Sequence, residues 1–211
     1  MLQGAHNRGN SRRAVTPMVE KAKHDAGKPA STHIETIGHE IRRLDERIQG
    51  FLKFVRPEEV TFAPVALAPL ISSVLDAVQP EAQRGGVSIE RACQDGTLLV
   101  QGDAAQLRDM FLNLAQNAIQ AMPKGGRLTI SCAPLPNRLV RVRVEDTGVG
   151  IAPENLAKIF DLYYTTRERG TGIGLSLVYR MVQIHNGTID VESTVGVGTS
   201  FILTLPSSGA V

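Results

Sequence analysis

Residues 144–175 read VEDTGVGIAPENLAKIFDLYYTTRERGTGIGL. Two glycine-rich turns, D-T-G-V-G-I and G-T-G-I-G-L, flank a polar stretch, Thr165-Thr166-Arg167-Glu168-Arg169. Glycine lets backbone N–H groups approach a phosphate with no Cβ in the way. An alternating strand ending at Glu145 delivers Asp146 to a sheet edge, where its carboxylate can accept an N–H from adenine. Gly148 and Gly150 then allow a tight turn beneath the base. Gly170, Gly172 and Gly174 precede a helix starting near Ile173, whose amides can hold phosphates. The spacing is G-x-G-x-G with no strand running into it, which separates it from the dinucleotide-binding G-x-G-x-x-G.

Upstream, a helix runs from about Ala104 to Met122 with Asp103 as its N-cap. Asn113 and Asn117 lie one turn apart on one of its faces. Carboxamide oxygens are hard, neutral ligands suited to a Mg²⁺ that keeps phosphates and waters in its shell. Thr165, Thr166 and Arg167 sit on a lid, and Arg167 can pair with a β- or γ-phosphate. Gly198-Thr199 offers a hydroxyl near the phosphates. Each feature also has a plainer reading. The asparagines can be surface residues, the aspartate an Asx-turn, Tyr163 and Tyr164 hinge packing, and Thr199 a hairpin residue. The order and spacing of the whole set favour a nucleotide and a metal.

The remaining pattern is that of an α/β domain. Strands are expected at Phe62–Val65, Val87–Ala92, Leu98–Gln101, Arg127–Ala133, Leu139–Glu145, Thr188–Ser193 and Ser200–Leu205. Helices are expected at Ala68–Gln83, after Pro153, and over Ile173–His185, with His185 as a C-terminal cap and dipole partner. Before Pro57, Ile34, Ile37, Ile41, Leu44, Ile48, Phe51 and Val55 recur at alternating steps of three and four, a coiled-coil seam that wants a second copy. A shorter helix over Ala14–His24 can fold back on it.

The chain has 211 residues, 42% hydrophobic, enough for a packed core, and a net charge of +2. A basic arm (Arg8, Arg12, Arg13) alone gives no support for nucleic-acid binding. Two cysteines, Cys93 and Cys132, predict reduced thiols in a cytoplasmic protein. No apolar run approaches the ~18 residues of a membrane span, although a longer parent can carry an anchor.

Taken together, N-L-A-Q-N-A-I-Q-A-M (113–122), D-T-G-V-G-I (146–151), I-F-D-L-Y-Y-T-T (159–166) and G-T-G-I-G-L (170–175) resemble the catalytic ATP-binding domain of sensor histidine kinases, nearest the nitrogen-regulation type. Residues 43–57 are similar to the second helix of that family's dimerisation and phosphotransfer hairpin. Leu162 stands where proline is usual, and Arg167 where lysine is common. The resemblance implies an α/β two-layer sandwich with a mixed sheet, the histidine kinase/Hsp90-type ATP-binding fold, preceded by a helical-hairpin dimerisation segment. The division is 1–17, an arm or degenerate first helix; 18–57, the helical segment; and 58–208, the ATP-binding domain. It implies ATP and Mg²⁺ as cofactors, with Asn117 and Asn113 on the metal and Asp146 on adenine. Gly148, Gly150, Thr165, Thr166, Arg167, Gly170, Thr171, Gly172, Gly174, Leu175 and Thr199 complete the nucleotide site. The implied partners are a second copy and a response regulator receiver domain.

His6 is the candidate phospho-acceptor. His6-Asn-Arg-Gly-Asn10-Ser11 keeps the histidine and asparagine of the family's H-E-x-x-N-P but lacks the acid and the proline. His39-Glu40 keeps the acid, but lies too close to Pro57 for a second hairpin helix to follow. The competing expectation is a pseudokinase that binds ATP without a competent acceptor. A chaperone- or topoisomerase-type ATPase is a further one, disfavoured by the short lid and the helical segment.

Overall fold

A computed structural model of the chain describes residues 37–38, 41, 60–93, 98–167 and 170–208. The chain divides into two compact units, Met1–Val55 and Arg56–Val211. In the first unit, Ile37, Gly38 and Ile41 are helical, and both isoleucines are exposed. The rest of the expected seam, the arm and the candidates His6 and His39 lie outside the described residues.

The second unit runs β1 (Ala63–Ala66), α1 (Leu67–Arg84), β2 (Val87–Ala92), β3 (Leu99–Gly102), α2 (Ala104–Gln120), β4 (Gly126–Leu135), β5 (Leu139–Asp146), α3 (Pro153–Leu156), α4 (Gly174–Ile184), β6 (Thr188–Thr194) and β7 (Gly198–Pro206). Five strands form one mixed sheet in the order β2-β4-β5-β7-β6. The β2–β4 pair is parallel and the others are antiparallel. β1 and β3 form a separate antiparallel pair.

Alternation decides which face of the sheet is dry. Leu128 and Ile130 on β4, Val140, Val142 and Val144 on β5, and Phe201, Leu203 and Leu205 on β7 are buried. The opposite face carries Arg143 within 3.4 Å of Glu145 and 3.6 Å of Glu192, and Arg127 within 3.6 Å of Glu90. Such exposed pairs contribute under about 1 kcal/mol each. α2 is the central helix and packs against both α1 and α4. Its Leu107, Met110, Phe111 and Leu114 are fully buried, each contributing about 1.5–3 kcal/mol. The polar face of α2, with Asn113, Asn117 and Gln120 at three- and four-residue spacing, is thereby turned away from the core.

Asp103 caps α2 as expected. Its Oδ1 accepts the amides of Ala105 and Gln106, both at 3.0 Å, and Oδ2 accepts that of Thr61 at 3.1 Å. His185 closes α4 as expected, but a charged dipole partner does not fit its contacts. The ring is 1% exposed. Its Nε2 accepts the Asp103 amide at 3.0 Å, which leaves the proton on Nδ1, donated to Met181 O at 2.7 Å. The histidine is therefore a neutral latch between the end of α4 and the start of α2.

The cysteines correct the sequence reading. Cys93 and Cys132 are joined in a disulfide rather than held as free thiols. The parallel register brings Ala92 opposite Ser131, so the next residue on each strand, Cys93 and Cys132, arrive side by side. That neighbourhood depends on a crossover connection and cannot be read from cysteine spacing. Among the described residues no helix is long and apolar enough to cross a membrane.

Candidate functional site

Part of the sequence-predicted set gathers around α2: Gly174 stands against Asn113 and Asn117, Arg167 bonds to Asn117, and the turn after Asp146 is tied to Ala121. β5 ends at Asp146, which is buried. Its Oδ1 accepts the Gly148 amide at 2.8 Å. Burial raises the pKa of this carboxyl above its ordinary value, opposed by the Gly148 and Thr199 amides and by the charge of Arg167. A carboxylate held dry with incomplete compensation favours a further N–H donor. The turn after it is fixed to α2, because the Val149 amide donates to Ala121 O at 3.0 Å.

Thr199 is the cross-strand partner of Asp146. It therefore sits at the Asp146 end of the site. Ser193 Oγ donates to Gly198 O at 3.0 Å and accepts the Ile151 amide at 2.8 Å. Its single proton is thus used, and Thr199 donates to Ser193 across 2.9 Å. A depression of about 420 Å³ at this sheet end is lined by Asp146, Thr147 and Thr199 together with Arg127, Glu145 and Glu192 of the wet face, and by no residue of α2, the lid or α4. A larger one, about 700 Å³, is lined by residues such as Pro64, Leu70 and Arg108 and contains none of the predicted site residues.

At the other end, α4 begins at Gly174 with no side-chain cap and no acid in its first turn. Its first amides therefore lack a side-chain acceptor, the arrangement of a helix start that can receive an anion. Gly174 lies against the asparagines: a Cβ there would stand 3.2 Å from Asn113 Oδ1 and 3.8 Å from Asn117 Nδ2. Asn113 Nδ2 donates to Asp109 O at 2.9 Å, which orients the other end of that carboxamide. Gly172 adopts φ +69°, and a Cβ would strike the Tyr163 backbone. The Tyr163 amide in turn donates to Gly172 O at 2.8 Å, pinning the start of the lid to the glycine turn. Tyr164 Oη donates to Asn155 Oδ1 at 2.7 Å.

The lid residue Arg167 reaches α2. Its guanidinium donates to Asn117 Oδ1 at 3.1 Å, Asn117 O at 3.0 Å and Gln120 Oε1 at 2.6 Å. The residue as a whole is exposed, but its charged end is desolvated there, which lowers its pKa against the opposing charge of Asp146. An arginine remains cationic regardless. Thr165 Oγ1 accepts the Arg167 amide at 3.1 Å, folding the lid locally. Thr166 is exposed, and Gly170, Thr171 and Leu175 are half-buried along the turn into α4.

These residues fit a nucleotide and a hard cation. Asn117 Oδ1 already accepts from a cationic group, and the helix start beside it suits phosphate. Among the described residues no group of three His, Cys, Asp or Glu side chains gathers as metal ligands. A cation here would lean on carboxamide and phosphate oxygens. Gln120 was not assigned a role from sequence. Its signal is the three-residue step from Asn117, which puts both on one face.

Residues 102–209, from the end of β3 through β7, match the family model described as histidine kinase-, DNA gyrase B- and HSP90-like ATPase. The chain belongs to that family. Among curated relatives it is 34% identical over 176 residues to sporulation kinase C of Bacillus subtilis, covering 82% of this chain and 41% of that one. It is also 34% identical over 181 residues to the sensor histidine kinase ZraS of Escherichia coli K12, covering 86% and 39%. The chain thus spans less than half the length of these relatives. Among solved structures, full-length ShkA in complex with AMPPNP superimposes with a TM-score of 0.75 at 25% identity, covering 96% of this chain and 46% of that one. The histidine kinase ThkA in complex with the response regulator TrrA gives 0.72 at 25% identity, covering 97% and 60%. The expected ATP-binding fold, with its mixed sheet, is the one present.

Proposed function

We propose that this chain is the nucleotide-binding and phosphotransfer portion of an ATP-dependent protein-histidine kinase in a two-component system. The observation that carries the reading is the convergence of Asn113, Asn117 and the uncapped start of α4 on one side of a lid held to α2 through Arg167. Asp146 would take the adenine amino group, with Gly148, Gly150 and Thr199 shaping that end. Asn117, with Asn113, would hold Mg²⁺. The amides of Gly170 through Leu175, with Thr165, Thr166 and Arg167, would hold the phosphates. Bound Mg²⁺ and ATP would supply a charge-neutralised γ-phosphoryl group.

The protein's own part is positioning and electrostatics. The buried Asp146 selects and orients the base. The helix terminus and guanidinium offset negative charge, and the lid excludes water. The acceptor is a neutral imidazole, for which His6 is the candidate. The phosphoryl group then passes to an aspartate of a response regulator receiver domain. The ThkA complex with a response regulator supports such a partner. Residues 18–57 form the dimerisation segment in this reading, 1–17 precede it, and 58–208 make the catalytic domain. The exposed Ile37 and Ile41 favour a second copy along the helix. ATP as co-substrate puts the chain on the cytoplasmic side.

Incubation with γ-labelled ATP tests this. The expected product is an acid-labile, base-stable label on the protein, lost in His6→Gln. Nucleotide binding with no label in the intact chain would favour the pseudokinase instead.

A further inference from the structure

Arg167 holds Asn117 by the oxygen that the proposed metal needs. Three acceptors converge on the guanidinium: Asn117 Oδ1 at 3.1 Å, Asn117 O at 3.0 Å and Gln120 Oε1 at 2.6 Å. Gln120 supplies the shortest of these contacts. It stands one helical turn beyond Asn117 on an exposed face, so its carboxamide can close on the guanidinium without strain. The backbone oxygen of Asn117 cannot be withdrawn. It is also the acceptor for the Ala121 amide at the end of α2. The guanidinium and a divalent cation cannot both occupy Asn117 Oδ1, because each is a positive charge within contact distance of one small oxygen.

We infer that Gln120 is a positioning residue that parks Arg167 on Asn117, so that the guanidinium competes with the divalent cation for a single carboxamide oxygen. The inference rests on the nucleotide reading above. Gln120 itself touches neither nucleotide nor metal. It acts by setting how readily Arg167 leaves α2. In the nucleotide-free protein the arginine fills the cation position, so the site carries positive charge without metal. When the metal-loaded nucleotide binds, Arg167 releases Asn117 Oδ1 and is free to meet the phosphates. A metal-free nucleotide provides no competitor for Asn117 Oδ1, so Arg167 then stays on α2 and does not reach the phosphates. Strengthening or weakening the Gln120 contact therefore shifts affinity for the metal complex and leaves affinity for the metal-free nucleotide nearly unchanged.

The test is calorimetric titration of the full chain with a non-hydrolysable ATP analogue, in excess Mg²⁺ and in chelator. Gln120→Ala removes one acceptor from the guanidinium and is expected to tighten binding in Mg²⁺ by about threefold to tenfold. Gln120→Glu turns the contact into an ion pair and is expected to weaken that binding by a similar factor. Neither should change the value in chelator by as much as twofold. In Arg167→Gln, itself weaker in nucleotide affinity, a further Gln120→Ala change should have no effect. A second readout needs no nucleotide: the guanidinium N–H signals of Arg167 in ¹⁵N NMR should be resolved in the free protein, and broadened by exchange in Gln120→Ala.

Equal effects with and without Mg²⁺ would overturn the inference, since a merely structural glutamine acts on both. Tighter metal-complex binding in Gln120→Glu would also overturn it, by making position 120 a metal attractor. So would Arg167 signals indifferent to Gln120→Ala. If the wild-type chain binds no nucleotide in either buffer, the function proposed above fails as well. If it binds normally while the position 120 variants match wild type, only this inference fails.

Discussion

Two aspartates begin or end secondary structure in this domain, and they differ in kind. Asp103 stands before α2 with three backbone amides on its carboxylate, from Thr61, Ala105 and Gln106. Burial raises its pKa, but those three amides outweigh it, and the net shift is downward. Asp146 ends β5, is buried, and is shifted upward, because desolvation outweighs the Gly148 and Thr199 amides and the Arg167 charge. The first carboxylate is satisfied by its own fold, while the second is held ready for a donor the fold does not supply. Satisfied polar groups report on architecture, and under-compensated ones mark sites.

The largest expected effect concerns the latch behind Asp103. His185→Leu leaves the half-buried Asp103 amide without its acceptor and empties a buried polar site, and should cost about 3 kcal/mol of stability. Urea denaturation measures it, and nucleotide affinity of the folded fraction should stay near wild type. The reverse pattern belongs to Asp146→Asn. Nucleotide affinity should fall by about tenfold to a hundredfold, the loss of a hydrogen bond to a charged group, while stability at pH 7 is unchanged or slightly raised. A simultaneous collapse of stability would erase the distinction between the two carboxylates.

Smaller again is the cap itself. Asp103→Ala should cost about 1 kcal/mol, with nucleotide binding intact. The pH dependence sharpens the contrast, because the signs are opposite. Asp103 has a depressed folded pKa, so its contribution is present above the ordinary carboxylate value and lost as pH falls through the lowered one. Asp146 has a raised folded pKa, so its contribution is present below the ordinary value and lost as pH rises through the raised one. Urea midpoints measured across mildly acidic pH should therefore rise on acidification in wild type and not in Asp146→Asn. Below about pH 4 they should fall in wild type and less so in Asp103→Asn.

The asymmetry between these regions was partly legible in the sequence. Asp103 before an apolar-periodic run is a local signal, and the helix it caps starts where expected. Asp146 followed by glycines is also local, as is the step from Asn113 to Asn117. Strand positions came through because alternation is a property of a few consecutive residues. What was not legible depends on residues far apart in the chain. The parallel β2–β4 register places Cys93 beside Cys132, and cysteine counting alone pointed to free thiols. His185 meets Asp103 only because α4 ends where α2 begins. Arg167 reaches Gln120 across the lid, a contact that no spacing rule within either segment discloses.

The nucleotide reading stands or falls with Asn117. Calorimetry of a non-hydrolysable ATP analogue with Mg²⁺ should show uptake by the wild-type chain and, in Asn117→Ala, loss of the Mg²⁺-dependent part of that affinity. Folded wild-type protein that takes up no nucleotide, or an Asn117→Ala variant with unchanged Mg²⁺-dependent affinity, would contradict it.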